Sequence, residues 1–263
     1  MDVADILQVE QVTLRKAKKP ILQQISWQVE QGEHWAIVGL NGSGKTSLLK
    51  IITGYEWPTE GHVAVLGNRY GQVPIQEVRK RIGWVSMSLD DRFHTKGQDT
   101  VLEIVLSGLH GTVGVYEPLG EADVAKAEAA IETFGLTHLT DERFLTLSQG
   151  ERKRAFLARA WVAKPELFIL DEPTTGLDLI AREQLLQTLE SVATTKGAPT
   201  FLYVTHYPEE IQPFITHVLM LKDGRVVAQG RKDEVLTKET ITAAFGCPLD
   251  VIVESGRYWV KPM

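Results

Sequence analysis

Residues 39–46 read Gly-Leu-Asn-Gly-Ser-Gly-Lys-Thr, with glycines spaced so that the backbone can curl tightly just before a lysine and a hydroxyl. Upstream, residues 35–38 form a short apolar run; downstream, residues 47–52 carry a helical pattern that stops before Gly54. Strand, glycine loop, helix is the context that the G-x-x-x-x-G-K-[ST] phosphate-binding pattern requires. This constrains the fold, because the loop works only where a buried strand hands the chain to the positive end of a helix. Backbone N–H groups across Gly39, Leu40, Asn41, Gly42, Ser43 and Gly44 can then face phosphate oxygens. Lys45 supplies a point charge, Thr46 offers a hydroxyl to Mg²⁺, and Ser47 completes the set of candidate contacts. A chance glycine turn capping a helix is the bland alternative, and the flanking elements weigh against it.

The rest of the chain supplies a matching frame. Apolar and polar residues alternate at Leu7, Val9 and Val12 and again near Ile21, Ile25, Trp27 and Val29, which suits antiparallel strands at a sheet edge. Strand-like runs at 62–66, 82–85, 167–170 and 201–204 are interleaved with helical stretches, notably 179–193, and Asp223-Gly224 separates the apolar runs 218–221 and 226–228 as a hairpin turn. Between 100 and 144 the pattern turns helical, at 101–106 and 121–134. The fold expected is α/β: a phosphate-loop NTPase core with a mainly parallel sheet, an antiparallel β edge and an inserted α-helical subdomain. We read one domain over 1–263, with 1–88 as nucleotide-binding core, 89–150 as helical subdomain, and 151–263 as the rest of the core plus a C-terminal extension.

Composition narrows the function classes. At 43% hydrophobic and 24% charged residues, 263 residues can bury a large core. A net charge of -6 disfavours a surface that neutralises many phosphates, so generic nucleic-acid binding is not expected. The lone Cys247 cannot form an internal disulfide, and the first residues lack the order of a signal peptide, so a cytoplasmic compartment is expected. No apolar run approaches the about 18 to 20 residues that cross a bilayer, so membrane contact needs a partner.

Two further positions carry acid chemistry. The run 167–170 ends in Asp171 and Glu172, where a parallel sheet presents its ligand-binding edge. Asp171 can hold Mg²⁺ and Glu172 can polarise an attacking water; taken alone, the pair is as compatible with a strand ending in solvent. His206 follows the run 201–204 at another such strand end, within reach of a γ-phosphate oxygen, although a lone loop histidine is more often incidental. Ser148 and Glu151 form a capping box at the start of an amphipathic helix, and with Gly150 keeping that start uncluttered its N–H groups can attract a second anion.

Taken in order, residues 39–46, Leu147-Ser-Gln-Gly-Glu151, Leu170-Asp-Glu-Pro173, Gly176-Leu-Asp178 and Thr205-His206 resemble the ABC-type ATPases over nearly the whole chain. The resemblance implies ATP as ligand, Mg²⁺ bound by Thr46 and Asp171, and a head-to-tail dimer that closes Ser148 and Gly150 of one copy over the nucleotide of the other. It further implies that Asp178 lies at the dimer seam, that Glu172 is the hydrolytic carboxylate, and that His206 senses the γ-phosphate beside Lys45. Two departures stand out. The family usually has a glutamine where this chain has Met87, between Ser86 and Ser88, and a thioether is a poor Mg²⁺ ligand. The usual adenine-stacking aromatic is absent too, with Arg15 and Lys16 in that neighbourhood; Arg15 can stack on a base or stand as a solvated edge charge.

With one ATPase unit and residues 230–261 resembling the C-terminal regions of bacterial metal-chelate importers, the expected role is the ATP-hydrolysing subunit of a membrane transporter. It would act as a homodimer, or with a related ATPase subunit, on the cytoplasmic face of the membrane through a transmembrane permease. The alternative is a soluble ABC ATPase acting on ribosomes, nucleic acid or an assembly pathway.

Overall fold

A computed structural model describes residues 5–86, 98–110 and 120–263. Its strands are β1 (Asp5–Lys16), β2 (Lys19–Glu30), β3 (Trp35–Val38), β4 (Glu60–Val65), β5 (Asn68–Arg69), β6 (Ile82–Ser86), β7 (Leu167–Asp171), β8 (Thr200–Thr205), β9 (His217–Lys222), β10 (Arg225–Arg231), β11 (Leu249–Glu254) and β12 (Arg257–Pro262). The described helices are α1 (Lys45–Ile52), α2 (Ile75–Arg79), α3 (Val101–Leu106), α4 (Glu121–Thr133), α5 (Gln149–Trp161), α6 (Leu179–Ala193), α7 (Lys232–Val235) and α8 (Lys238–Phe245). Two compact units are formed, Met1–Arg79 with Thr200–Met263, and Lys80–Pro199.

In the first unit the alternating sequence of β1 and β2 becomes an antiparallel hairpin whose register pairs Leu7 with Val29, Val9 with Trp27 and Val12 with Ile25. All six side chains are buried, so one face of the ribbon is core and the other is wet, as a period of two demands. β4 extends the ribbon on β1, and β5 extends it on β4. A second set of strands carries β3 between β8 and β9, parallel to both, with β10 antiparallel on β9. Every residue of β3 and β8 is buried, which explains their continuous apolar runs. α1 buries Leu48, Leu49, Ile51 and Ile52 directly after the glycine loop. Asp223 and Gly224 take φ of 49° and 72° between β9 and β10, the two positive angles that an Asp-Gly hairpin turn supplies.

In the second unit β6 and β7 run parallel, with Ile82 beside Leu167 at one end and Ser86 beside Asp171 at the other. The helical part is anchored by aromatic packing: Phe144 meets Phe156 edge-on at 4.9 Å, and Phe134 meets Trp161 at 6.1 Å. Thr100 and Glu103 form a capping box at the start of α3. Gly108, just beyond α3, lies so close to the Arg159 carbonyl of α5 that any Cβ there would collide with it. Beside it, the Arg159 Nε donates to the buried Ser107 hydroxyl at 3.0 Å.

The fold is therefore α/β of the phosphate-loop NTPase kind, with parallel core strands, antiparallel edges and an inserted helical segment. Among the described residues no helix is long and apolar enough to cross a membrane. The C-terminal hairpin β11–β12 was not anticipated from sequence.

Candidate functional site

The buried strand β3 delivers the chain to residues 39–44, and the backbone of this loop is shaped by glycine. Gly42 and Gly44 take φ of 83° and 106°, angles that side chains with a Cβ rarely adopt. A Cβ on Gly39 would run into the Leu221 carbonyl of β9 and the Ser43 hydroxyl. The loop is held from outside by the β9–β10 turn: the Gly224 N–H donates to the Ser43 carbonyl at 3.0 Å, and the Gln23 N–H donates to the Gly224 carbonyl at 2.8 Å. Lys45 is only 5% exposed, and its ammonium donates to the carbonyls of Gly39 (2.7 Å) and Leu40 (3.2 Å). The Ser43 hydroxyl is buried without a hydrogen-bond partner, while Thr46 is exposed at the first turn of α1. Curled glycines, a buried cation and an orphaned hydroxyl at a helix start fit a polyphosphate.

His206 lies in the same unit. β3 and β8 pair Val38 with Thr205, so Gly39 and His206 leave adjacent strand ends. Behind His206, which is half-buried, a 3-10 turn over Pro208–Glu210 is pinned by a cluster the sequence did not disclose. The buried Glu210 carboxylate accepts from the Thr205 hydroxyl at 2.7 Å and from the Tyr203 hydroxyl at 3.2 Å, and the Tyr207 N–H donates to Thr205 Oγ1 at 2.9 Å.

In the other unit Asp171 ends β7, buried to 8% exposure, beside the equally buried Ser86 of β6. Glu172 leaves the strand with φ of 52°, a left-handed angle uncommon for a residue with a Cβ. Simple strand alternation therefore stops at Asp171 and does not set the direction of Glu172. Backbone held in a sparsely populated region is typical of sites where position matters more than stability. Met87 and Ser88 lie outside the described residues.

Two exposed helix starts lie side by side in this unit. Ser148 caps α5: its hydroxyl and backbone N–H both donate to the Glu151 carboxylate, at 2.7 and 2.8 Å. These hydrogen bonds from the Ser148 side chain and backbone hold Glu151 below the ordinary carboxylate range. Asp178 caps α6, accepting from the Ala181 N–H at 2.9 Å. Gly150 serves the packing of these starts as well as their openness, since a Cβ there would sit 3.3 Å from the Ala181 methyl, tighter than ordinary contact. A Cβ on Gly176, whose φ is 83°, would stand in ordinary contact with the Gln149 side chain, at 3.5 Å.

Among the described residues no group of three or more His, Cys, Asp or Glu is gathered as for a protein-held metal. Thr46 in one unit and Asp171 in the other each carry an oxygen of the kind that a hard cation such as Mg²⁺ prefers.

The chain is similar to known proteins over most of its length. A family model described as ABC transporter matches residues 22–175. The chain is 44% identical over 253 residues to the ABC transporter ATP-binding protein YlmA of Bacillus subtilis (strain 168), covering 96% of this chain and 95% of that protein. It is 37% identical over 259 residues to the ABC transporter ATP-binding protein YmeB of Lactococcus lactis subsp. lactis (strain IL1403), covering 98% of each. Among solved structures, cbiO1 from Clostridium perfringens, part of the ABC transporter complex cbiONQ, aligns with a TM-score of 0.77 at 27% identity, over 91% of this chain and 94% of that one.

Proposed function

This chain belongs to the ABC transporter family of ATP-binding proteins, an ATPase that turns ATP and water into ADP and phosphate, and from that premise we propose that it energises a membrane permease as one half of an ATP-sandwiched dimer. In this reading 1–88 and 151–263 supply the nucleotide-binding core and 89–150 the helical subdomain. The loop from Gly39 through Leu40, Asn41, Gly42, Ser43 and Gly44 holds the phosphates with Lys45, Thr46 and Ser47, the lysine neutralising charge that builds on the γ-phosphoryl group.

Thr46 and Asp171 would hold Mg²⁺, which when bound would offset the charge of the phosphates. Glu172 accepts the proton of the attacking water, and His206 donates a hydrogen bond to the γ-phosphate. Ser148 and Gly150 of the partner copy close over the same phosphates through the start of α5, with Asp178 at the seam. The observation that carries this reading is the phosphate loop itself: curled glycines between β3 and α1, and a buried Lys45 at the start of α1. Transport rests on the curated relatives, which are described as transporter ATP-binding proteins over nearly their full length.

Affinity purification of the full chain from gently solubilised membranes tests it. A stoichiometric multi-span protein supports the permease, whereas a ribosomal or nucleic-acid companion in its place overturns the transport reading in favour of a soluble ATPase.

A further inference from the structure

We propose that the C-terminal hairpin is a brace for the His206 loop, and that Arg257 is the positioning residue through which it acts. The inference rests on the reading of His206 as a γ-phosphate contact, but its structural half is independent of that reading. Only Tyr207 separates His206 from the 3-10 turn Pro208–Glu210. That turn is fixed from two sides at consecutive residues. On the inner side the Glu210 side chain is tied to Thr205 and Tyr203 of β8. On the outer side Arg257, the first residue of β12, donates from Nε (2.9 Å) and Nη2 (2.7 Å) to the carbonyl of Glu209.

Arg257 is itself held in place. Its guanidinium stacks over the Trp259 ring at 5.2 Å, and the β11–β12 register sets Trp259 opposite Ile252. The turn of the hairpin rests against Pro213, 3.5 Å from where a Cβ on Gly256 would stand, and the Lys232 ammonium donates to the Pro213 carbonyl at 2.8 Å. Next to Arg257 in sequence, Tyr258 is buried to 7% exposure, which seats the hairpin on its own unit.

Charge-assisted hydrogen bonds are stronger than neutral ones, and the planar guanidinium presents its donors in a fixed geometry. Two donors on one oxygen fix the direction of the Glu209 peptide, and a shift of about 1 Å in a catalytic group can cost on the order of a hundredfold in rate. The hairpin therefore gives this chain a handle on turnover that is separate from nucleotide affinity: contacts made to β11–β12 reach the His206 loop through Arg257.

The test is steady-state kinetics on Arg257→Ala, Arg257→Lys, His206→Ala and the double variant with MgATP, together with hydrogen exchange over residues 206–212. For Arg257→Ala we expect kcat to fall about tenfold with KM within about twofold, and faster exchange confined to 206–212. Arg257→Lys, which keeps one donor, should recover part of the rate. Adding Arg257→Ala to His206→Ala should lower kcat no further. Unchanged exchange in Arg257→Ala, or losses that multiply in the double variant, would overturn the brace. If instead His206→Ala keeps full activity while Arg257→Ala still loosens 206–212, the reading of His206 fails and the brace on this loop stands.

Discussion

Lys45 shows how much of a site residue its pattern discloses and how much it hides. Its position follows from the spacing of residues 39–46, and its charge from the need to meet phosphate. That the same ammonium is buried and tied to two carbonyls of its own loop could not be read from spacing, because it depends on how the loop closes. This changes what Lys45→Ala should do. Charge-assisted hydrogen bonds are worth about 1.5 to 3 kcal/mol each, so ATP affinity should drop roughly 10- to 100-fold or more. The carbonyls left behind cost about 1 kcal/mol, so the melting temperature should also fall by a few degrees without loss of fold. Calorimetric titration with MgATP and a thermal melt check both; wild-type affinity in a folded variant counts against the site. Ser43 was legible as a phosphate-loop residue and Gly224 as part of a hairpin turn. Their roles at the back of the phosphate loop arise from β9–β10 meeting it in space, and nothing local to either residue encodes that meeting.

Among the elements, one residue ties the beginnings of three strands, by its ring and by its main-chain carbonyl. His34 precedes β3, its ring Nδ1 accepts from the Phe201 N–H of β8 at 3.1 Å, and its carbonyl accepts from the His217 N–H of β9 at 3.0 Å. Its ring meets Phe201 and Phe214 edge-on. Burial lowers the affinity of the ring for a proton from the ordinary value of 6.5. Above pH 6.5 the ring is neutral whether the chain is folded or not, and it adds no pH dependence. Below that value the unfolded chain binds a proton that the folded chain does not, so stability declines as pH falls, until the lowered folded pKa is passed. His34→Asn keeps an acceptor for Phe201 and removes the titration. Its melting temperature should fall less steeply than the wild type's between about pH 7 and 5; parallel slopes would show that His34 does not contribute. The strands it joins were legible because burial on both faces makes them continuous apolar runs, and the Asp223-Gly224 turn because only certain residues accept two positive φ angles. β11 and β12 were not legible. Asp250, Ile252 and Glu254 face solvent with Lys261 and Trp259 across from them, so neither strand shows a clean alternation. The turn that joins them, Ser255-Gly256, takes φ of 52° and 75°, much like Asp223-Gly224, but serine favours a positive φ less than aspartate and so signals a hairpin more weakly.

For the whole molecule the decisive question is whether two copies meet over ATP, and Glu172 provides the handle. If Glu172 is the base proposed above, Glu172→Gln keeps the shape of the side chain but cannot take the proton of the attacking water, which removes general-base help worth roughly 10² to 10⁴-fold. In the proposed site it also removes one negative charge near the γ-phosphate, where the field of a bound nucleotide would oppose it. ATP then outlives the encounter that hydrolysis would end. Each intact nucleotide is proposed to lie between Lys45 and Thr46 of one copy and the Ser148 helix start of the other, so slow chemistry should appear as slow dissociation. Left-handed backbone at Glu172 costs about as much after the exchange as before it, since both side chains carry the same Cβ, and folding should be unaffected. Size-exclusion chromatography with light scattering, in MgATP and in MgADP, reads the outcome. Glu172→Gln should be a dimer in MgATP alone, and adding Ser148→Arg should return it to monomer. Because that second change also removes the N-cap of α5, worth about 1 kcal/mol, the monomer must still melt cooperatively for the result to count. A Glu172→Gln protein that hydrolyses ATP at the wild-type rate would show that another group takes the proton, and one that is inactive yet monomeric in MgATP would rule out a sandwich that closes without the permease.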